Sequence, residues 1–256
     1  MSGADDQKRI AALAAVEMVK SGQLVGLGTG STAEIAIDGL IERARAGLRI
    51  DCVPTSERSA IRARAGGLTV LDEPPADRPI DITIDGADQI EQGTLNLIKG
   101  LGGALLWEKI VAASTSTLVV IADCSKLVAR LGGPVPVPVE VMRFGWQSTA
   151  ARLAELGCRP VVRRMDDAVF RTDSGNLIVD CHFDVIANAA ELELRLSSVV
   201  GVVETGLFID MTSKAVVGTE QGTRIYHRQG APPETGLGFV RPISHNLADQ
   251  GPDPSG

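Results

Sequence analysis

Aromatic side chains are scarce in this 256-residue chain: Phe, Tyr and Trp make up 3% of it, against 44% for all hydrophobic residues. Its cores must therefore be built from Val, Ile, Leu and Ala, in one large domain or two modest ones. A basic surplus is missing too. The formal net charge of −7 speaks against nucleic acid or an anionic membrane as partner, because both need a basic footprint. A small anionic ligand is still admissible, since a few local donors can overrule the global sign. The four cysteines (Cys52, Cys124, Cys158, Cys181) form no CxxC pair, and no export signal opens the sequence. A reducing cytoplasm is expected rather than a disulfide framework. The three histidines (His182, His227, His245) show no HExxH or comparable spacing, so no metal and no other cofactor is expected. Apolar runs such as Thr117–Ala122 fall far short of a membrane span. No GxSxG elbow or Cys–His arrangement offers a nucleophile.

What is present is alternation. Asp6–Lys20 reads as an amphipathic helix, with Ile10, Leu13, Ala14, Val16 and Met18 on its apolar side. Strand-type runs follow at Gln23–Leu27, Ile50–Pro54, Thr69–Leu71, Ile80–Ile84 and Thr117–Ala122. Helical segments are expected at Ser31–Arg45, near Arg58–Ala65, and at Ala104–Ala113. This order predicts an α/β domain with a mainly parallel sheet and helices on both faces. At Gly132–Pro138 the chain becomes proline-punctuated, which no regular helix can cross. Beyond it come a strand at Val137–Arg143, a helix at Gln147–Leu156 and a strand from Val161. A hairpin of Ala168–Thr172 with Asn176–Phe183 is expected to turn at Asp173–Gly175. A helix at Ala189–Leu196 and a strand at Val202–Phe208 complete a β-α-β-β-α-β order, that of a smaller ferredoxin-like α+β domain. Lys214–Gly218 and Arg224–Tyr226 are candidates to return to the first sheet. The expected division is therefore 1–133 completed by 209–228, then 134–208, with 229–256 as a mobile Gly/Pro-rich tail.

Three stretches can carry chemistry. Gly26–Ala33 (GLGTGSTA) joins a strand to a helix; its glycines let backbone N–H groups approach an anion, and the helix N-terminus adds a positive dipole end. Ser31 and Thr32 can add hydroxyl donors. The same loop also fits the loose dinucleotide fingerprint, yet the second strand ends in Pro54-Thr55-Ser56 rather than an acid. A third reading is a tight turn that merely caps its helix. Asp85-Gly86-Ala87-Asp88 follows a strand, and its two acids can accept hydrogen bonds from sugar hydroxyls, or simply form an acidic turn. Lys99–Ile110 (KGLGGALLWEKI) is a second glycine loop opening a helix. Within it, Ala104, Leu105 and Leu106 would desolvate Glu108 and make it a stronger base. Lys99 could stabilise the negative charge left when a carbon acid loses its proton. A solvated Glu–Lys helix face is the bland alternative. Lys126 lies just past another strand end, as a phosphate contact or an ordinary surface lysine.

Together and in this order, these segments resemble the A-type ribose-5-phosphate isomerase family. The resemblance also draws on TSERS (Thr55–Ser59), DGADQI (Asp85–Ile90), ADCSK (Ala122–Lys126), PVPVEV (Pro136–Val141) and GVVETGLF (Gly201–Phe208). It covers roughly residues 5 to 226. It implies a Rossmann-like catalytic domain with an inserted α+β domain, a homodimer or dimer of dimers, and metal-free aldose–ketose isomerisation of a small sugar phosphate. By the same resemblance, Glu108 is the general base, and Asp85, Asp88 and Lys99 are its catalytic companions. Substrate contacts are implied for Gly28, Thr29, Gly30, Ser31 and Thr32, for Gly86 and Ala87, and for Gly100, Leu101, Gly102 and Lys126. Lys8 is a further phosphate candidate. Leu101 and Trp107 depart from the residues commonly found at those positions. A sugar-phosphate deaminase and a sugar-phosphate-sensing regulator are the rival functions.

Overall fold

Short runs of β-branched residues between amphipathic helices assemble into a seven-stranded sheet, two four-stranded sheets and a two-stranded one in the computed structural model, which describes residues 3–228. The expected tail at 229–256 lies outside the described residues. The largest sheet has seven strands in the spatial order Gly222–His227, Lys214–Thr219, Leu118–Asp123, Ile82–Gly86, Leu24–Leu27, Asp51–Pro54 and Thr69–Val70. All neighbours run parallel except the edge strand Gly222–His227. Counted along the chain, the six parallel strands are ordered 3-2-1-4-5-6, the doubly wound Rossmann arrangement. Winding reverses between Leu24–Leu27 and Ile82–Gly86, and a crevice opens at the carboxyl ends of those two strands.

Alternate residues of the strands face opposite layers. Val25 and Leu27 pack with the helices Gly3–Val16, Ser31–Arg45 and Glu57–Ala65 through Ala11, Ala15, Ile37, Leu40 and Ala63. Leu24 points the other way, onto Val53, Ile80 and Val111 of the helix Leu105–Ala113. Helices therefore cover both faces, as the α/β reading requires.

The second sheet is antiparallel, in the order Arg159–Val162, Leu177–His182, Val137–Val141 and Val202–Thr205. With the helices Trp146–Ala154 and Ala189–Ser197 it has the ferredoxin-like βαββαβ topology. Its hairpin differs from expectation. Leu177–His182 pairs with Arg159–Val162, whereas Ala168–Val169 folds back on Arg164–Met165. Asp166 makes that tight turn by adopting a φ of 52°, a conformation Asp tolerates better than most residues.

Two further boundaries moved, and both matter for the site. Ile82–Gly86 begins and ends two residues later than expected, so Asp85 is held within a strand rather than in the turn after it. Val202–Phe208 is broken at Gly206. A Cβ there would lie 2.3 Å from the Lys99 carbonyl oxygen, and the Gly206 N–H donates to Pro138 O at 2.7 Å. Only glycine permits this passage between sheets. Leu207–Phe208 then joins a small sheet with Leu97–Ile98, Gln89–Glu91 and Leu127–Val128, whose short strands had no visible signal in the sequence.

Candidate active site

The first glycine loop is shaped by what lies beneath it. At Gly28 a Cβ would sit 2.2 Å from Asp85 Oδ1 and 2.5 Å from Asp85 Cα, so the missing side chain lets two strand ends touch. The Thr29 N–H donates to Asp85 Oδ1 at 3.0 Å. The Thr29 hydroxyl lies 2.7 Å from the Thr55 hydroxyl and 2.8 Å from that of Ser56, while Ser59 donates to Gly28 O at 2.6 Å. This hydroxyl cluster fixes the loop from below, a role the TSERS segment did not announce. The helix Ser31–Arg45 then starts at Gly30, with φ 108° and no side-chain cap. Its first-turn N–H groups are left for an external acceptor, which the helix dipole favours as an anion. Lys8 Nζ stands 3.4 Å from the Ser31 hydroxyl at the same opening.

The second glycine loop leads to a buried charge cluster. Lys99 Nζ contacts Asp85 Oδ2 at 2.9 Å, Gly86 O at 2.6 Å and Glu108 Oε1 at 3.3 Å. All three groups belong to residues buried or nearly so, with Lys99 and Glu108 each 3% exposed. The Phe208 ring lies 5.6 Å from the same ammonium and 5.1 Å from that of Lys109, presenting its negative face to both cations. Burial by itself would lower the Lys99 pKa; Asp85, Glu108 and Asp88 outweigh it and raise it, so Lys99 stays charged. For Glu108 burial dominates and raises the carboxyl well above its usual range. Lys99 opposes that rise, and Asp85 and Asp88 reinforce it. Among the described residues Glu108 Oε2 is buried with no hydrogen-bond partner. Such an oxygen is costly to leave unmade unless something else is to fill it.

Between the two loops lies a cavity of about 140 Å³. One end is lined by Lys8, Gly30, Ser31, Thr32 and Lys126, the other by Gly86, Asp88, Lys99, Gly100, Gly102 and Glu108, with Thr29 and Ala87 also on the wall. Three expected contact residues are placed elsewhere. Gly28 lies behind the wall, making room for Asp85. Asp85 itself is 2% exposed, and its oxygens are occupied by Lys99 and by the N–H groups of Thr29 and Gly86. Its Oδ2 is paired with the Lys99 ammonium, and it does not line the cavity. Leu101 turns its side chain to solvent, while its N–H donates to Asp88 Oδ2 at 2.9 Å. Asp88 therefore keeps an oxygen for the cavity; burial raises its pKa, against the pull of the Leu101 N–H, Lys99, Lys126 and Arg163. Trp107 leans away and donates to the Ser174 hydroxyl at 3.0 Å.

Among the described residues no three His, Cys, Asp or Glu side chains are grouped to hold a metal ion. The point where Asp85 and Glu108 converge is taken by the Lys99 ammonium. Nor is any described helix long and apolar enough to cross a membrane. Phe208 escaped the sequence reading as a site residue because it lies more than 100 positions from Lys99 in the chain; its place in the GVVETGLF segment was the one available signal.

Comparison with known proteins gives concordant matches. The family model for ribose 5-phosphate isomerase A (phosphoriboisomerase A) matches residues 51–222. A ribose-5-phosphate isomerase A from Synechococcus sp. (strain JA-3-3Ab) is 52% identical, over 87% of this chain and 97% of its own. Another, from Gluconobacter oxydans, is also 52% identical over 87% of this chain and 97% of its own. Among solved structures, ribose 5-phosphate isomerase A from Methanocaldococcus jannaschii superposes with a TM-score of 0.82 at 38% identity, covering 87% of this chain and 99% of its own. A D-ribose-5-phosphate isomerase in complex with phospho-erythronic acid gives 0.85 at 34% identity, covering 89% and 100%.

Proposed function

The chain belongs to the ribose 5-phosphate isomerase A family and is an aldose–ketose isomerase of the pentose phosphate pathway, and from that premise we propose how its cavity divides the work. The phosphate of ring-opened ribose 5-phosphate sits at the uncapped start of the helix Ser31–Arg45, among Ser31, Thr32, Lys8 and Lys126. The other end of the sugar then reaches Glu108. Its free Oε2 removes the proton from carbon 2, leaving an enediolate, and returns a proton to carbon 1, giving D-ribulose 5-phosphate. Negative charge builds on the carbon 1 oxygen as the first proton leaves, and Lys99 is the cation beside it.

Lys99 begins with all three of its N–H donors engaged. Its contact with Glu108 is the longest of the three, at 3.3 Å. Once Glu108 has accepted the substrate proton it is neutral and holds Lys99 less strongly, so that donor is released toward the oxyanion as the charge develops there. Charge stabilisation that strengthens in the transition state is what lowers the barrier. Asp88 accepts from a substrate hydroxyl and assists proton movement between the two oxygens; Asp85 keeps Lys99 in place. The related isomerase seen with phospho-erythronic acid supports this reading, because a planar carboxylate on a phosphorylated four-carbon skeleton resembles a planar enediolate. The family assignment leaves the deaminase and regulator readings without support.

The observation that carries the proposal is the buried, unpartnered Glu108 Oε2 beside a lysine. Conversion of ribose 5-phosphate to ribulose 5-phosphate, assayed with a chelator present, should proceed in the parent protein. It should fall about a hundred- to ten-thousand-fold in Glu108→Gln. Near-normal turnover by a folded Glu108→Gln protein would overturn the base assignment. In D2O the enediolate route predicts deuterium at carbon 1 of the product, whereas a hydride shift would leave that position unlabelled.

We extend the proposal to chain organisation. A catalytic unit of 1–133 completed by 209–228 encloses a unit of 134–208, a division supported by the separate strand memberships of the two large sheets. The family implies a homodimer or dimer of dimers working in the cytoplasm. The strongly exposed Phe144 and Val200 on the second unit are apolar surface that an assembly would cover.

A further inference from the structure

The ferredoxin-like unit contributes no residue to the cavity wall, yet one of its side chains reaches the second glycine loop. Arg163 lies between the strands Arg159–Val162 and Arg164–Met165. Its backbone is fixed on both sides, the N–H donating to Ile178 O at 2.8 Å and the carbonyl accepting from Phe170 N at 2.9 Å. Its guanidinium is largely buried and forked against Asp180, with Nε donating to Oδ2 at 3.0 Å and Nη2 paired with Oδ1. The remaining donor, Nη1, reaches Gly100 O at 2.7 Å and Leu101 O at 3.1 Å.

The Gly100 carbonyl and the Leu101 N–H are the two ends of one planar peptide unit. The carbonyl end is held by Arg163, and the N–H end donates to Asp88 Oδ2 at 2.9 Å. We propose that Arg163 is a positioning residue for the isomerisation: it sets the orientation of the Gly100–Leu101 peptide and, through it, the Asp88 carboxylate. This rests on the reading of the cavity given above, in which Asp88 touches substrate.

Two physical arguments support the assignment. The loop contains Gly100, Gly102 and Gly103, with Gly100 at φ 101° and Gly103 at φ 87°. Such a segment has wide backbone freedom and needs an external clamp to hold one peptide plane. A charged donor on the carbonyl also polarises the peptide and strengthens the hydrogen bond its N–H makes. Lysine is a poor substitute. Its ammonium is a point charge on a flexible stem, whereas the planar guanidinium grips Asp180 with one edge and the loop with another. The charged groups around Asp88 are Lys99, Lys126, Arg163 and Glu108, so loss of Arg163 also removes one of three nearby cations.

The test uses Arg163→Lys and Arg163→Ala in the full chain, with Glu108→Gln run alongside. Arg163→Lys, which keeps the charge and most of the stem, should lose about ten- to a hundred-fold in kcat, the scale of a small misplacement at a reacting centre. KM should stay within about threefold, because the phosphate end is untouched. Added guanidinium ion, below denaturing concentration, should restore part of the kcat of Arg163→Ala. The proposal is overturned if both variants stay within about twofold of the parent in kcat. It is equally overturned if activity merely follows the folded fraction seen by circular dichroism, with no recovery by guanidinium. A fully active Glu108→Gln would instead sink the underlying reading of the site, which separates the two failures.

Discussion

The two ends of the cavity are built on opposite principles. The phosphate end relies on backbone N–H groups and long lysines that stay partly exposed, with Lys8 24% accessible along its side chain. Among the described residues Lys8 meets the Ser31 hydroxyl at 3.4 Å and Asp5 at 3.6 Å, both surface contacts, so the ligand brings the countercharge. At the chemical end Asp85, Lys99 and Glu108 are all buried and already paired. A phosphate dianion can be met by flexible cations after it arrives. A proton transfer cannot wait, because its groups must hold their geometry and protonation before the substrate binds. The site therefore concentrates its electrostatic cost at one end.

Lys99→Met should break this contrast most severely. It leaves two buried acids facing each other without their cation, and removing one partner of such a buried cluster costs about 3–5 kcal/mol of stability. Denaturant titration should show that loss, together with a fall in kcat of about a hundred- to a thousandfold. A variant as stable as the parent would mean that the cluster is less coupled than its distances imply. Lys126→Met probes the other end. Loss of one charge-assisted contact to a ligand phosphate is worth about 1.5 kcal/mol at its lower bound, so KM should rise about tenfold with kcat nearly constant and no change in melting. Added salt should raise the parent KM more than that of the variant, since this end is open to screening. Equal losses in kcat and KM for Lys126→Met would erase the distinction between the ends.

Legibility in the sequence follows the same division. The phosphate end is local: Gly28-x-Gly30 between a strand and a helix places its own N–H groups, so the motif could be read as an anion site without the rest of the fold. The chemical end is assembled from distant segments. Asp85 and Lys99 are visible as an acid at a strand end and a lysine before glycines. That the oxygens of Asp85 are used up by Lys99, Thr29 and Gly86 depends on strand register, which no periodicity encodes. Phe208 reaches Lys99 only because Gly206 lets the backbone cross from one sheet to the next. The large sheets were readable because Val and Ile runs of four to six residues, such as Leu118–Asp123, are long enough to show a pattern. Leu97–Ile98 and Leu127–Val128, of two residues each, are not, although the equally short Thr69–Val70 falls within a run read as a strand. Spatial strand order, which puts the crevice between Leu24–Leu27 and Ile82–Gly86, is a tertiary property that sequence alternation constrains only to a class.

The smallest expected effect sharpens the contrast through stability. The pKa of Glu108 is raised in the folded protein, chiefly by burial. A group raised on folding contributes stability that is complete below its unfolded pKa, about 4.3 for a free Glu, and is lost as pH rises through the folded value. At pH 8, well above the unfolded value, ionisation of Glu108 is therefore a cost to the fold even though Lys99 lies beside it. Glu108→Gln removes that cost and keeps the shape of the side chain. Its melting temperature should exceed that of the parent by about 2–4 °C at pH 8, and the difference should shrink toward zero near pH 4. An equivalent neutralisation at the phosphate end, where the lysines are open to water, should give no such pH-dependent gain. If Glu108→Gln melted below the parent at pH 8, the buried carboxylate would be a net stabiliser through Lys99. The chemical end would then be held together by its charges rather than strained by them.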